Sequence, residues 1–120
     1  MRLSKKKLTS TAKKEILTSF YQLIADIKNY QEAEIICRSL LSKAEKVAIA
    51  KRLAILWALS QGKKYSEIRK KLHISPATIS KLQLDLKESG ARKILEKLTA
   101  EKWAVAKEEK IKNFFDKLLK

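Results

Sequence analysis

A single proline stands in the 120-residue chain, and a serine precedes it. Ser75-Pro76 is a strong helix start. The serine hydroxyl accepts an orphan amide of the first turn, and proline's missing N–H costs nothing at the first helical position. The surrounding stretch, Lys63 to Asp85 (KKYSEIRKKLHISPATISKLQLD), reads as two short helices joined by a tight turn at His73-Ile74-Ser75. Tyr65, Ile68 and Leu72, spaced three and then four, give the first helix one apolar face. Ile79 and Leu82 point back from the second helix, so Ile68, Leu72, Ile74, Ile79 and Leu82 form a small shared core. Pro76, Ala77, Ser80, Lys81 and Leu84 are left facing outward. This is the pattern of a helix-turn-helix; a plain αα-hairpin with a capped second helix shares it.

The outward face suits a DNA major groove. A recognition helix needs small residues at its N-terminal end so that the backbone can approach base edges. Ala77 is small and offers a methyl, Ser80 can donate or accept, and Lys81 can reach guanine or phosphate. The amides at the helix start can hold a phosphate.

Composition points to the same class. Two glycines and one proline are too few for the turns of an all-β protein, and Lys, Leu, Ala, Glu and Ile favour helices. With 45% hydrophobic residues the chain can bury a core. The formal net charge is +15, which attracts polyanions: nucleic acid first, an anionic membrane surface second. No apolar run reaches the roughly 18 residues of a membrane span, and the basic N-terminus lacks the apolar segment of a secretory signal. The lone cysteine, Cys37, fits a reducing cytoplasm and sits among isoleucines as core filler. There is no phosphate loop, dinucleotide fingerprint or Cys/His cluster, and the carboxylates lie scattered among lysines. The expectation is a non-enzyme without a metal or cofactor.

Along the chain, residues 1–14 carry six cations and no acid, the mark of either a frayed, solvated terminus or a basic arm that binds phosphates. A first helix is expected from Ser10 to Asn29, with Ile16, Phe20, Leu23, Ile24 and Ile27 as its stripe. A second is expected over Gln31–Leu40. Ser42 and Glu45 form a capping box that opens a third helix reaching Gln61, with Gly62 just past its end. From Val47 to Leu59 this helix is apolar on nearly every side, so other helices must wrap it, some of them from a second copy. The recognition helix is expected over residues 76–88. Ser89-Gly90 breaks it, and Ala91–Leu98 follows with Ile94, Leu95 and Leu98 inward. Thr99 caps a last amphipathic helix from Ala100 to Leu119, whose apolar side can pack on the body, cross a dimer interface or bind a partner. The expected divisions are an arm over 1–14, a helix-turn-helix domain over 15–98 and the last helix over 99–120.

The order of these pieces resembles the tryptophan-repressor superfamily, in particular its Trp-repressor-related branch. The resemblance is carried by SLLSKAEKVAIAKRLAILWALSQGKKYSEI and ISPATISKLQ. It implies an all-α fold of about six helices, here with an extra C-terminal helix. It also implies an intertwined homodimer and a cytoplasmic transcription regulator that represses from a palindromic operator in double-stranded DNA. Carried over by position, the groove contacts are Pro76, Ala77, Thr78 and Ser80, and the phosphate contacts are Ser66, Arg69 and Lys87. Charge and position add Lys63, Lys64, Lys70 and Lys81, for each of which a solvated face is the other reading. Arg52 matches the arginine that pairs with an effector carboxylate in the family, or simply pairs with a carboxylate of its own chain. Lys81 replaces an arginine that lies flat along the tryptophan ring, and Leu82 replaces a glycine that leaves the ligand space. No tryptophan response is therefore expected, and any other effector is unknown. His73 takes a position where the turn favours glycine and must adopt a left-handed conformation there. Two further readings stand beside the regulator: charge-driven binding of DNA or RNA without sequence preference, and a protein or membrane interaction module built on the last helix.

Overall fold

The computed structural model describes residues 6–100 and Lys117. Regular structure among the described residues is entirely helical: α1 (Ser10–Ala25), α2 (Tyr30–Leu40), α3 (Lys43–Ser60), α4 (Tyr65–Leu72), α5 (Pro76–Asp85) and α6 (Ser89–Thr99). The chain divides into two compact units, Met1–Lys46 and Val47–Lys120. The last helix expected from Ala100 to Leu119 lies outside the described residues, as do the first five residues of the basic arm.

In the first unit, side chains set the helix boundaries. Thr9 accepts from the Ala12 N–H at 3.1 Å and opens α1. That helix stops at Ala25, four residues short of the expected Asn29, because Asn29 is claimed by the next helix. Its extended backbone and its side-chain acceptor, 2.9 Å from the Glu32 N–H, make it the N-cap of α2. Glu32 reaches back to the Lys28 N–H at 3.3 Å, so two amides on the approach to α2 are satisfied at once. Neither α1 nor α2 has a buried residue. The stripe expected on α1 is present, but Ile16, Phe20, Leu23 and Ile24 are exposed in the single chain.

The capping box of α3 forms as its spacing predicts. The Glu45 N–H donates to Ser42 Oγ at 3.1 Å, and the Ser42 N–H donates to Glu45 Oε1 at 2.8 Å. Gly62, at φ 76°, ends the turn after α3 in the left-handed region that glycine enters without strain.

The core of the second unit lies around the C-terminal half of α3, where six consecutive residues, Ala54 to Leu59, are buried. Such a run cannot come from one helical face, so α3 is surrounded at this end, as its uniformly apolar sequence requires. By contrast Val47 and Ile49, at its start, are about half exposed. Ile68 and Leu72 of α4, Ile79 and Leu82 of α5, and Ala91 and Leu98 of α6 complete the core, with Ile74 packed against it. All five apolar residues expected to join the helix-turn-helix pair thus do so.

Two boundaries differ from expectation. Helix α5 ends at Asp85 rather than the expected Glu88. Its last amides tighten into three-residue turns, Lys87 N–H to the Leu84 carbonyl and Glu88 N–H to the Asp85 carbonyl, and Glu88 is extended. Ser89 and Gly90, expected as the break, form the first turn of α6 instead. Ile94, expected inward, stays partly exposed. At the other end the Thr99 hydroxyl donates to the Leu95 carbonyl at 2.9 Å, so it finishes α6.

The capping box carries a pH signature. Hydrogen bonds from the Ser42 backbone N–H, and then from its hydroxyl, hold the Glu45 carboxyl below its ordinary value. A depressed value stabilises the folded chain above the unfolded pKa, about 4.3, and that contribution is lost as pH falls through the folded value. Glu45→Gln is therefore expected to lower the unfolding midpoint at pH 7, and the gap to wild type should narrow as pH falls below the ordinary carboxylate range. Urea titrations across that range check it; a constant gap would show that the carboxylate charge plays no part.

Candidate nucleic-acid interface

The outward surface of α4 and α5 is built from their termini. Arg69, Lys70 and Lys71 occupy the last turn of α4, where cations complement the negative end of the helix. His73 closes that helix at φ 54° and ψ 54°, its N–H donating to the Arg69 carbonyl at 2.9 Å. The left-handed geometry expected for this histidine is what the chain adopts. Ser75 then caps α5: its Oγ accepts from the Thr78 N–H at 3.2 Å and lies 2.9 Å from Thr78 Oγ1. Pro76 follows at the first position, and no acid occupies the first turn. The positive end of α5 therefore keeps its attraction for anions.

Residues expected to meet DNA converge here. Ser66, Arg69 and Pro76 line one open cleft of about 220 Å³, with Tyr65 and Ile79. Two expected phosphate contacts on α4 thus lie beside the first residue of α5. Pro76, Ala77, Ser80 and Lys81 are exposed on α5, as are Lys64 and Lys70, whereas Lys63 is half-buried. Among the described residues the ion pair is Glu34 with Arg38, so no carboxylate engages Lys64, Arg69, Lys70 or Lys81 in an ion pair.

Two expected contacts sit differently from the rest. Thr78 is half-buried and its hydroxyl belongs to the Ser75 cap, away from the line of Ala77 and Ser80. Lys87 is exposed but lies in the turn after α5. Leu84, given no role from sequence, is 71% exposed on the last turn of α5. Its seven-residue separation from Ala77 was the signal available for it.

Arg52 lines a separate groove of about 490 Å³ in the same unit. Its walls are mainly apolar, with Ile49, Leu53, Leu56, Leu82 and Ile94 among them, and Asp85 and Glu88 face it as well. Leu82 is 9% exposed, a core residue that also bounds the groove. Among the described residues no cluster of metal-ligating side chains occurs, and no helix is long and apolar enough to cross a membrane.

An all-α unit whose capped helix-turn-helix presents a cationic face defines the class: a helix-turn-helix DNA-binding protein. The family model described as Trp repressor protein matches residues 15–101, and the chain belongs to that family. Membership makes it a DNA-binding transcription regulator of a family that is regulatory rather than enzymatic. No curated protein and no solved structure matches the chain significantly.

The left-handed residue gives a direct check on the turn that positions the interface. A β-branched side chain at positive φ is strained, by about 1–2 kcal/mol relative to residues that tolerate it. His73→Val should lower stability by that amount in urea unfolding, while His73→Asn stays near wild type. Equal stability of the two variants would contradict the left-handed turn.

Proposed function

We propose that the protein is a homodimeric repressor that reads a palindromic operator with α5. The observation that carries this reading is the cleft where Ser66 and Arg69 meet the start of α5. A phosphate held there by the hydroxyl, the guanidinium and the acid-free positive end of the helix positions the duplex. Ala77 and Ser80 then reach base edges, with Lys81 beside them. The cations at Lys63, Lys64, Lys70 and Lys87 add affinity that falls with salt and carries no sequence preference.

The dimer is supported by what the single chain leaves uncovered. Phe20 and Leu23 on α1, Ile35 and Leu40 on α2, and Val47 and Ile49 on α3 are all large, apolar and exposed. An amphipathic helix with no buried residue has its stabilising face unused, and a second copy provides the matching surface. Two-fold symmetry would set the recognition helices about 34 Å apart, one DNA turn. Tryptophan is not the effector in this reading. Lys81 lacks the flat guanidinium to cover an indole ring, and Leu82 occupies space beside the groove of Arg52.

Selection of bound sequences from a random DNA pool at physiological salt tests the reading, and a two-fold symmetric motif is expected. On that site Ser80→Ala should cost about 1–3 kcal/mol and relax preference at one base pair per half-site. Arg69→Ala should weaken selected and random DNA alike and reduce the salt slope by about one per half-site. A pool that stays random, or a Ser80 variant that loses equally on both kinds of DNA, would reject sequence-specific reading. Sedimentation of the full chain should give twice its 13.8 kDa mass; the monomer mass at micromolar concentration would reject the dimer.

A further inference from the structure

Leu84 is the most exposed of the large hydrophobic side chains among the described residues, at 71%. Most of the others that stand out to a similar degree lie on α1, α2 and the first half of α3, the surface proposed above to meet a second copy. Leu84 lies on none of these elements. On α5 the inner side is fixed by buried Ile79 and Leu82. At 3.6 residues per turn, Ala77, Ser80, Lys81 and Leu84 share the opposite side, and Leu84 stands almost directly over Ala77, two turns on. The face that carries the proposed base contacts therefore ends in an isolated apolar side chain with exposed Lys81 and Lys87 nearby in sequence.

On a surface that meets a polyanion, an isobutyl group gains from the contact only where the polyanion offers it something apolar. The major groove has one such feature, the C5 methyl group of a pyrimidine, carried by thymine or by 5-methylcytosine. Seven residues of helix advance about 10 Å, which is about three base-pair steps of 3.4 Å along the duplex. We propose that Leu84 is a specificity-determining residue that packs on a pyrimidine C5 methyl about three base pairs from the pair met by Ala77. This rests on the reading of α5 as the recognition helix and adds to it a required base feature. The preference is for a methyl group rather than for a hydrogen-bonding pattern, so it is insensitive to rearrangement of the polar side chains around it.

The experiment uses the full chain and the operator obtained by selection. Each thymine is replaced singly by deoxyuridine, which removes the methyl and leaves base pairing unchanged. The wild-type protein should lose about four-fold in affinity at one position per half-site, the value of one buried methyl group. Leu84→Ala and Leu84→Asn should bind the thymine and uracil operators equally at that position, with circular dichroism and unfolding midpoint unchanged. A cytosine placed there should bind wild type more tightly when 5-methylated, which separates the methyl from the rest of the thymine ring. If selection yields no motif, the recognition-helix reading itself fails. If a motif emerges and no uracil position depends on Leu84, that reading stands and the role of Leu84 is overturned. Loss of the dimer on Leu84→Ala, with thymine and uracil still distinguished, would likewise overturn it and assign the side chain to the second copy.

Discussion

Ile68 on α4 and Ile79 on α5 are both completely buried, and every outward group of the helix-turn-helix takes its position from that packing. Neither helix is long enough to be stable alone; at eight and ten residues both depend on tertiary contacts. The buried half of α3 supplies those contacts, with Leu72 and Leu82 closing the layer beside them. Shortening either isoleucine would leave a cavity in this layer, and a rigid reading head tolerates such slack poorly. The polar surface is thus a consequence of an apolar one. The cleft of Ser66, Arg69 and Pro76 exists because two isoleucines behind it hold two helix ends together.

Much of this arrangement was legible in the sequence because it is written in local chemistry. The Ser42–Glu45 box, the Ser75-Pro76 start and the spacing of Ile68, Leu72, Ile79 and Leu82 each act within a few residues, and each formed as read. The structure departs from the local pattern where a competing local interaction takes over. The apolar stripe of α1 extends toward Asn29, but an Asn followed three residues later by Glu is as good an opening as Ser42 with Glu45, and Asn29 caps α2. Ser89-Gly90 was read as a break on composition, yet the chain turns just before it, at Leu86–Glu88, and enters α6 with the glycine in the first turn. Periodicity alone sets Ile94 inward but cannot tell a core from the wall of an open groove, which is where Ile94 lies.

The candidate interface was legible in type more than in geometry. Ala77, Ser80 and Lys81 are set outward by their place on the helix, and all three are exposed. The meeting of Ser66 and Arg69 with Pro76 depends on how α4 crosses α5, which no pattern within one helix encodes. Thr78 shows the reverse: its identity suits a base contact, but its hydroxyl is spent on the cap beside Ser75. The groove of Arg52 likewise joins α3, α5 and α6, and the carboxylates of Asp85 and Glu88 facing it were not foreseen.

The left-handed histidine at the end of α4 bears on how the reading surface comes into being. A non-glycine residue keeps a left-handed conformation when its surroundings hold it there, and here Ile74, one residue on, is packed against the core. An excised hairpin, without the buried half of α3, would hold neither its corner nor its helices. In the intact chain the corner rests on the same core that holds α4 and α5, so whatever loosens that core disturbs the turn and the outward surface together.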